Sequence, residues 1–348
     1  MIQQRERQPA GANGQRDTPL LEVRGLSKRF PVGGWFGRSQ VHALEDASFT
    51  LDRGRVTALV GESGSGKSTT ARLVARLIEP SAGEIVLNGR DVLKSEPRSA
   101  SLAYRADVQM IFQDPFASLN PVHTIGYHLE RPLQVHAKAQ GGAGRREQVA
   151  SLLGAVGLTP AADFVDKFPH ELSGGQRQRV AFARALAVDP AVMLADEPVS
   201  MLDVSIRMGI LNLMERLKQE RGIAYLYITH DIASARYIAD ETIVEYAGRM
   251  VEGAGGDDLI RSPAHPYTEL LLSAVPDPRA RRTRQVRARA EPPSLIDPPP
   301  GCPFAPRCPR VMEICRQTMP GVEMIAPEHW VRCHLYGPGQ DQAAAPIG

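Results

Sequence analysis

Gly61-Glu62-Ser63-Gly64-Ser65-Gly66-Lys67-Ser68-Thr69 fits the pattern G-x-x-x-x-G-K-[ST]. The glycines let the backbone curl so that successive N–H groups face inward on an anion. In such a loop Lys67 reaches the β- and γ-phosphates of a nucleotide, and the Ser68 hydroxyl ligates Mg²⁺. The flanks fit this reading. Val56-Thr57-Ala58-Leu59-Val60 reads as a short buried strand entering the loop. Leu73, Val74, Leu77 and Ile78 then recur at helical spacing until Pro80 stops the run. Strand, glycine loop and helix together aim the positive end of a helix dipole at the phosphates. A plain glycine-rich turn would need none of that context.

A chain of 348 residues holds one large domain or two modest ones. Hydrophobic residues at 43% and charged residues at 23% are the proportions of an ordinary globular protein. A net charge of +2 gives no global attraction to nucleic acid or acidic membranes, so no nucleic-acid partner is expected. No apolar run reaches the ~18 residues a membrane-spanning helix needs. Residues 1–18 are polar, lack the apolar segment of a secretory signal, and read as a disordered tail on a cytoplasmic chain.

Along the chain, Leu21-Glu22-Val23-Arg24 and Ala47-Ser48-Phe49-Thr50-Leu51 alternate as half-exposed antiparallel strands do. Residues 31–40 read as a loop after Phe30, with Trp35 and Phe36 within it. Gly83 to Gly89 reads as a strand closing in an Asn-Gly turn, and Val108 to Phe112 as a strand leading to Gln113. Residues 121–188 are helix-rich. Within them Leu172-Ser173-Gly174-Gly175-Gln176 opens a helix, with Ser173 as N-cap and two glycines permitting close backbone approach. Ala191-Val192-Met193-Leu194-Ala195 is a buried strand ending in Asp196-Glu197-Pro198, at the edge where parallel sheets bind ligands. Asp196 suits Mg²⁺, and Glu197 suits polarising a water. Strand 223–228 delivers His230 to the same edge, within reach of a γ-phosphate.

In this order these elements resemble the nucleotide-binding subunit of an ABC transporter, over about residues 20–260. The string Leu172 to Gln176 is highly specific to that family. The resemblance implies an α/β fold: a P-loop NTPase core with an N-terminal antiparallel β subdomain and a helical subdomain at about 114–187, the whole spanning 19–260. It implies ATP bound through Gly61, Ser63, Gly64, Ser65, Gly66, Lys67, Ser68 and Thr69, with Phe30 stacking on adenine and Trp35 and Phe36 as rivals. It implies Mg²⁺ held by Ser68, Gln113 and Asp196, Glu197 as general base, and His230 as the switch histidine at the γ-phosphate. Ser173, Gly174, Gly175 and Gln176 would close on ATP held by an opposite subunit, and Asp203 would bridge the dimer. A second ATP-binding subunit, identical or not, is therefore implied. Met201 stands where alanine is usual in the family.

Three stretches look like the oligopeptide/dipeptide importer branch: Phe112 to Pro121, Glu197 to Ser200 continuing through Asp203 to Ile206, and Pro263-Ala264-His265-Pro266-Tyr267-Thr268. That implies two transmembrane permease subunits, an extracytoplasmic solute-binding protein and a place on the cytoplasmic face of the membrane. An exporter ATPase is the near alternative. A soluble ABC protein of DNA repair or translation is the distant one, disfavoured by the single uninterrupted set of motifs. The basic stretch 280–287 reads as a solvated linker into Pro-rich sequence.

Residues 261–348 form a C-terminal extension with all four cysteines, Cys302, Cys308, Cys315 and Cys333, at gaps of five, six and seventeen. Disulfides are disfavoured in the cytosol. The close pairs usual for zinc are absent, and four thiolates at wider gaps suit an iron–sulfur cluster. Some peptide importers hold a 4Fe-4S cluster in a similar tail. Cluster, zinc and plain reduced thiols all stand at this point.

Overall fold

The computed structural model describes residues 18–33, 39–138, 142–274 and 293–337. The N-terminal tail expected over 1–18 lies outside them except for Thr18, as do Trp35, Phe36 and the basic stretch 280–287. In chain order the strands are Leu21–Val32 (β1), Ser39–Leu51 (β2), Val56–Val60 (β3), Ala82–Leu87 (β4), Arg90–Asp91 (β5), Val108–Ile111 (β6), Val192–Asp196 (β7), Ala224–Thr229 (β8), Glu241–Tyr246 (β9), Arg249–Gly255 (β10), Glu323–Ala326 (β11) and His329–Val331 (β12).

Two sheets share them. One is antiparallel, in the order β2-β1-β4-β5. The other runs β11-β12-β10-β9-β3-β8-β7-β6, with β9, β3, β8, β7 and β6 parallel. Every residue of β3, β7 and β8 is buried, which is why these strands read as unbroken apolar runs. Their side chains alternate between two cores. Val56, Ala58, Val60, Met193 and Tyr225 pack with the helices 125–135, 174–186 and 204–221. Leu59, Leu194 and Leu226 pack with helix Lys67–Val74 and the inner face of β1 and β2.

Local chemistry accounts for the ends of elements. Asn88 and Gly89 both take positive φ (49° and 77°), giving the two-residue turn that joins β4 to β5. Helix Val204–Arg221 opens on Asp203 and closes at Gly222 in the left-handed region. The loop expected over 31–40 is shorter, because β1 continues through Val32 and Phe30 pairs with Val41 on β2.

The C-terminal extension is built onto the core. β12 pairs with β10, so strands from residues 323–331 continue the central sheet. A Cβ on Gly253 would meet the Trp330 ring at 2.5 Å, so only glycine allows that pairing to close. Phe304 is buried against Tyr246, Tyr267 and His265, with ring centroids 5.3–5.7 Å apart. Glu252, fully buried on β10, accepts the N–H groups of Ala264 and His265 and contacts His329 Nε2, each at 2.8 Å. His265 then caps the helix Pro266–Ser273.

Candidate nucleotide-binding site

β3 ends at Val60 and the chain turns through 61–66 into helix Lys67–Val74. The turn lies directly on β9. A Cβ at Gly61 would sit 2.1 Å from the Glu245 carbonyl oxygen, and one at Gly66 (φ 119°) 2.3 Å from Glu245 Oε1. Two of the motif's glycines are thus required by close packing against Glu245. Lys67 Nζ donates to the carbonyls of Gly61 and Glu62 at 2.9 and 2.7 Å and to Ser65 Oγ at 3.2 Å. Burial lowers its pKa.

Ser63, Gly64, Gly66, Lys67, Ser68 and Thr69 floor a cavity of about 510 Å³. Gln113, Glu197 and His230 line one flank, and Ala43 and Leu295 also line it. Gly61 and Ser65 lie outside the lining and shape the turn from behind. Ser68 Oγ donates to Asp196 Oδ1 at 2.8 Å. Asp196 is buried at the end of β7; burial raises its carboxyl pKa, against the lowering effect of the Ser68 bond. A hydroxyl and a carboxylate brought together beside the glycine loop make a hard oxygen donor set of the kind Mg²⁺ takes.

Glu197 follows at φ 45°, and both its oxygens are engaged. Gln113 Nε2 donates to Oε2 at 3.0 Å, and His230 Nδ1 contacts Oε1 at 3.2 Å. The loops after β6, β7 and β8 thus bring three groups, up to 117 positions apart in sequence (113 to 230), into one bonded set.

The other expected residues lie elsewhere. Ser173 and Gln176 form a reciprocal capping box at the start of helix Gly174–Leu186. Asp203 caps Val204–Arg221, and hydrogen bonds from the Ile206 N–H and Ser205 lower its pKa. These two turns pack on each other, since a Cβ on Gly175 would meet Ile206 Cγ2 at 2.4 Å. Neither lines the cavity. Nor does Phe30, which lies on β1 beside β2, 37% exposed, with the Lys28 ammonium 4.9 Å from its ring centroid.

Three neighbours of the loop escape a sequence reading. The Glu62 N–H donates to Tyr267 Oη at 2.8 Å, and its carboxylate receives Arg307 through two bonds of 2.8 and 2.9 Å. Glu245 is completely buried beneath the turn; Thr70 Oγ1 reaches its Oε2 at 3.3 Å, while Oε1 has no hydrogen-bond partner. Burial raises its pKa, opposed by the Lys67 charge. A lone acid inside the apolar run 243–246 is the one available sequence signal for it.

The four cysteines line one small cavity with His265, Phe304 and Leu335. All four are free thiols. Burial pushes Cys302 up to about 11 and Cys333 up to about 12, and raises Cys308 as well. Among the described residues, no group of three or more His, Cys, Asp or Glu side chains is disposed to hold a metal ion.

Comparison with known proteins gives the same picture. The ABC transporter family matches residues 44–200, and the C-terminal region of oligopeptide/dipeptide transporters matches 251–315. The chain is 45% identical to the dipeptide transport ATP-binding protein DppF of Haemophilus influenzae, covering 92% of this chain and 97% of that one. It is 43% identical to the oligopeptide transport ATP-binding protein AppF of Bacillus subtilis, covering 91% and 97%. Among solved structures, a dimeric ATP-binding cassette in a post-hydrolysis state with ADP and Pi bound aligns with a TM-score of 0.59. It is 29% identical and covers 68% of this chain and 98% of that one.

Proposed function

The chain belongs to the ABC transporter family, in its oligopeptide/dipeptide ATP-binding branch, and on that premise we propose that it hydrolyses ATP to drive uptake of peptides, or a related solute, through separate membrane subunits. One observation carries the chemistry: Ser68 bonded to Asp196, beside the bonded set Gln113–Glu197–His230, around a cavity floored by the glycine loop.

ATP enters with its phosphates on the amides of 63–69. Lys67 exchanges its bonds to Gly61 and Glu62 for phosphate oxygens, which return to an ammonium the charge its burial disfavours. Ser68 and Asp196, with Gln113 nearby, would hold Mg²⁺, which neutralises charge on the β- and γ-phosphates. Glu197 accepts a proton from the attacking water as the new oxygen–phosphorus bond forms and the bond to ADP breaks. Gln113 and His230 hold the two Glu197 oxygens, fixing the carboxylate toward that water. His230, its side chain 55% exposed, is free to turn to the γ-phosphate once nucleotide arrives.

Ser173, Gly174, Gly175 and Gln176 lie away from this chain's own cavity. We assign them to the ATP of a second ATP-binding subunit, identical or not, with Asp203 at the dimer contact. Two permease subunits and a solute-binding protein complete the transporter. No helix among the described residues is long and apolar enough to cross a membrane, and we place the chain at the cytoplasmic face. Phe112 lies in a groove of about 490 Å³ with Leu77 and Arg105, next to Gln113, and suits a permease contact that reports on the site.

We propose that the four thiols hold a 4Fe-4S cluster. Their shared cavity supports this reading. Burial raises the pKa of Cys302, Cys308 and Cys333, which keeps these thiols neutral without metal, and ligation would deprotonate them. The cluster would staple a segment too rich in proline to build a core.

The test of the transport reading is co-purification of the chain with two permeases, followed by ATP hydrolysis in vesicles with solute-binding protein and peptide. Stimulation by peptide is expected; a complex that hydrolyses ATP only while moving solute outward would contradict it.

A further inference from the structure

Residues 294–297 of the C-terminal extension lie along β2. The His42 N–H donates to the Leu295 carbonyl at 2.8 Å, and the Asp297 N–H donates to the Gln40 carbonyl at 3.0 Å. Gln40 N–H donates to Asp297 Oδ1 at 3.0 Å, and Val41 bridges Ile296 in antiparallel register. β2 is the edge strand of its sheet, so this short segment covers an otherwise unpaired ladder. It also sets the Leu295 side chain against the glycine loop. Leu295 lines the main cavity with Ala43, Ser63 and Gly64, and a second small cavity with Ser63, Gly64 and Pro293.

The sheet order gives the cavity a direction. β8, β7 and β6 lie on one side of β3 and carry His230, Glu197 and Gln113. β9 and β10 lie on the other side, and the turn between them holds Gly248, within 3.2 Å of Ala43 by its would-be Cβ. The terminal phosphate belongs beside Glu197, so the nucleoside runs toward the flank of Ala43 and Leu295. That flank is apolar.

We propose that Leu295, supplied in cis by the C-terminal extension, forms with Ala43 the apolar wall against which the nucleoside of bound ATP packs. The inference rests on the nucleotide-site reading above and adds a binding residue from outside the cassette core. Leu295 is half-buried at the surface, so its truncation removes contact area without opening the core.

The test is equilibrium dialysis of the full chain with ATP and, separately, with inorganic tripolyphosphate, which has the phosphates and no nucleoside. Leu295→Ala should weaken ATP binding about fivefold to tenfold and leave tripolyphosphate binding unchanged; Leu295→Met should restore ATP binding. Ile296→Ala, on the same strand with its side chain outside the cavity, should change neither. ATP affinity within twofold of wild type in Leu295→Ala would overturn the proposal. Equal weakening of both ligands would also overturn it, since that marks a distorted phosphate loop. Lys67→Ala separates the two claims. Weakening of both ligands there, beside an unaffected Leu295→Ala, leaves the nucleotide site standing and removes only the Leu295 wall. No weakening in Lys67→Ala overturns the site and the wall together.

Discussion

Arg307 grips Glu62 with two parallel hydrogen bonds of 2.8 and 2.9 Å. Glu62 is the second residue of the phosphate loop, and Arg307 lies between Cys302 and Cys308. The Arg307 side chain is buried, also reaches Tyr246 Oη at 3.2 Å, and stands next to Phe304 in the aromatic cluster. The cysteine-bearing segment is therefore tied directly to the glycine loop.

That tie is measurable. Arg307→Ala and Glu62→Gln should each destabilise the chain, with a coupling of about 1–2 kcal/mol in a double-mutant cycle followed by denaturant unfolding. The charge-assisted, bidentate and partly desolvated geometry justifies that size. Strict additivity would mean that the pair contributes no interaction of its own.

Glu245 predicts a pH dependence. Burial holds its folded-state pKa above the ordinary 4.5, at about 8. A raised carboxyl pKa means the protonated form favours the fold. That contribution is complete below about pH 4.5 and is lost as pH climbs to about 8. Glu245→Gln keeps the shape and removes the titration. Thermal unfolding should show the variant close to wild type at pH 5 and more stable at pH 8.5, by about 2–4 °C for each kcal/mol recovered. An equal shift at both pH values would contradict the assignment.

Gly175 predicts a separation of binding from turnover. A Cβ there collides with Ile206, so Gly175→Val should displace the turn that we assign to the ATP of a second subunit. Steady-state hydrolysis should fall at least about tenfold, while ATP binding to the isolated chain stays within about twofold. Loss of binding in proportion to turnover would place the signature turn in this chain's own site.

Much of the site could be read in the sequence because its signals are local. Gly61 to Thr69, Asp196-Glu197 and Leu172 to Gln176 each carry their chemistry within nine residues or fewer, beside buried strands whose apolar runs mark them. Contacts across long separations left no such mark. Glu62 and Arg307 each look like ordinary surface charges until the fold joins them over 245 positions. Tyr267 belonged to a recognisable Pro-Ala-His-Pro-Tyr string, yet nothing in that string pointed to the Glu62 N–H. Leu295 sits in Pro-rich sequence, and its place beside the loop depends on β2 being an edge strand.

The cysteine cavity predicts metal content. Anaerobically purified full chain should carry about four irons and a broad visible absorbance, lost on Cys308→Ser. Loss of the metal should lower thermal stability, since ligation and local folding are linked. One zinc and no colour would replace the cluster with a single-ion site, and no metal would leave four reduced thiols.

The role of Glu197 is decided by steady-state ATP hydrolysis in Glu197→Gln, set beside the ATP affinity of that variant. The variant keeps the Ser68–Asp196 pair and the glycine loop while removing the proton acceptor. ATP binding should be nearly unchanged and turnover lowered by about 10²–10⁴. Undiminished hydrolysis with intact binding would contradict that role.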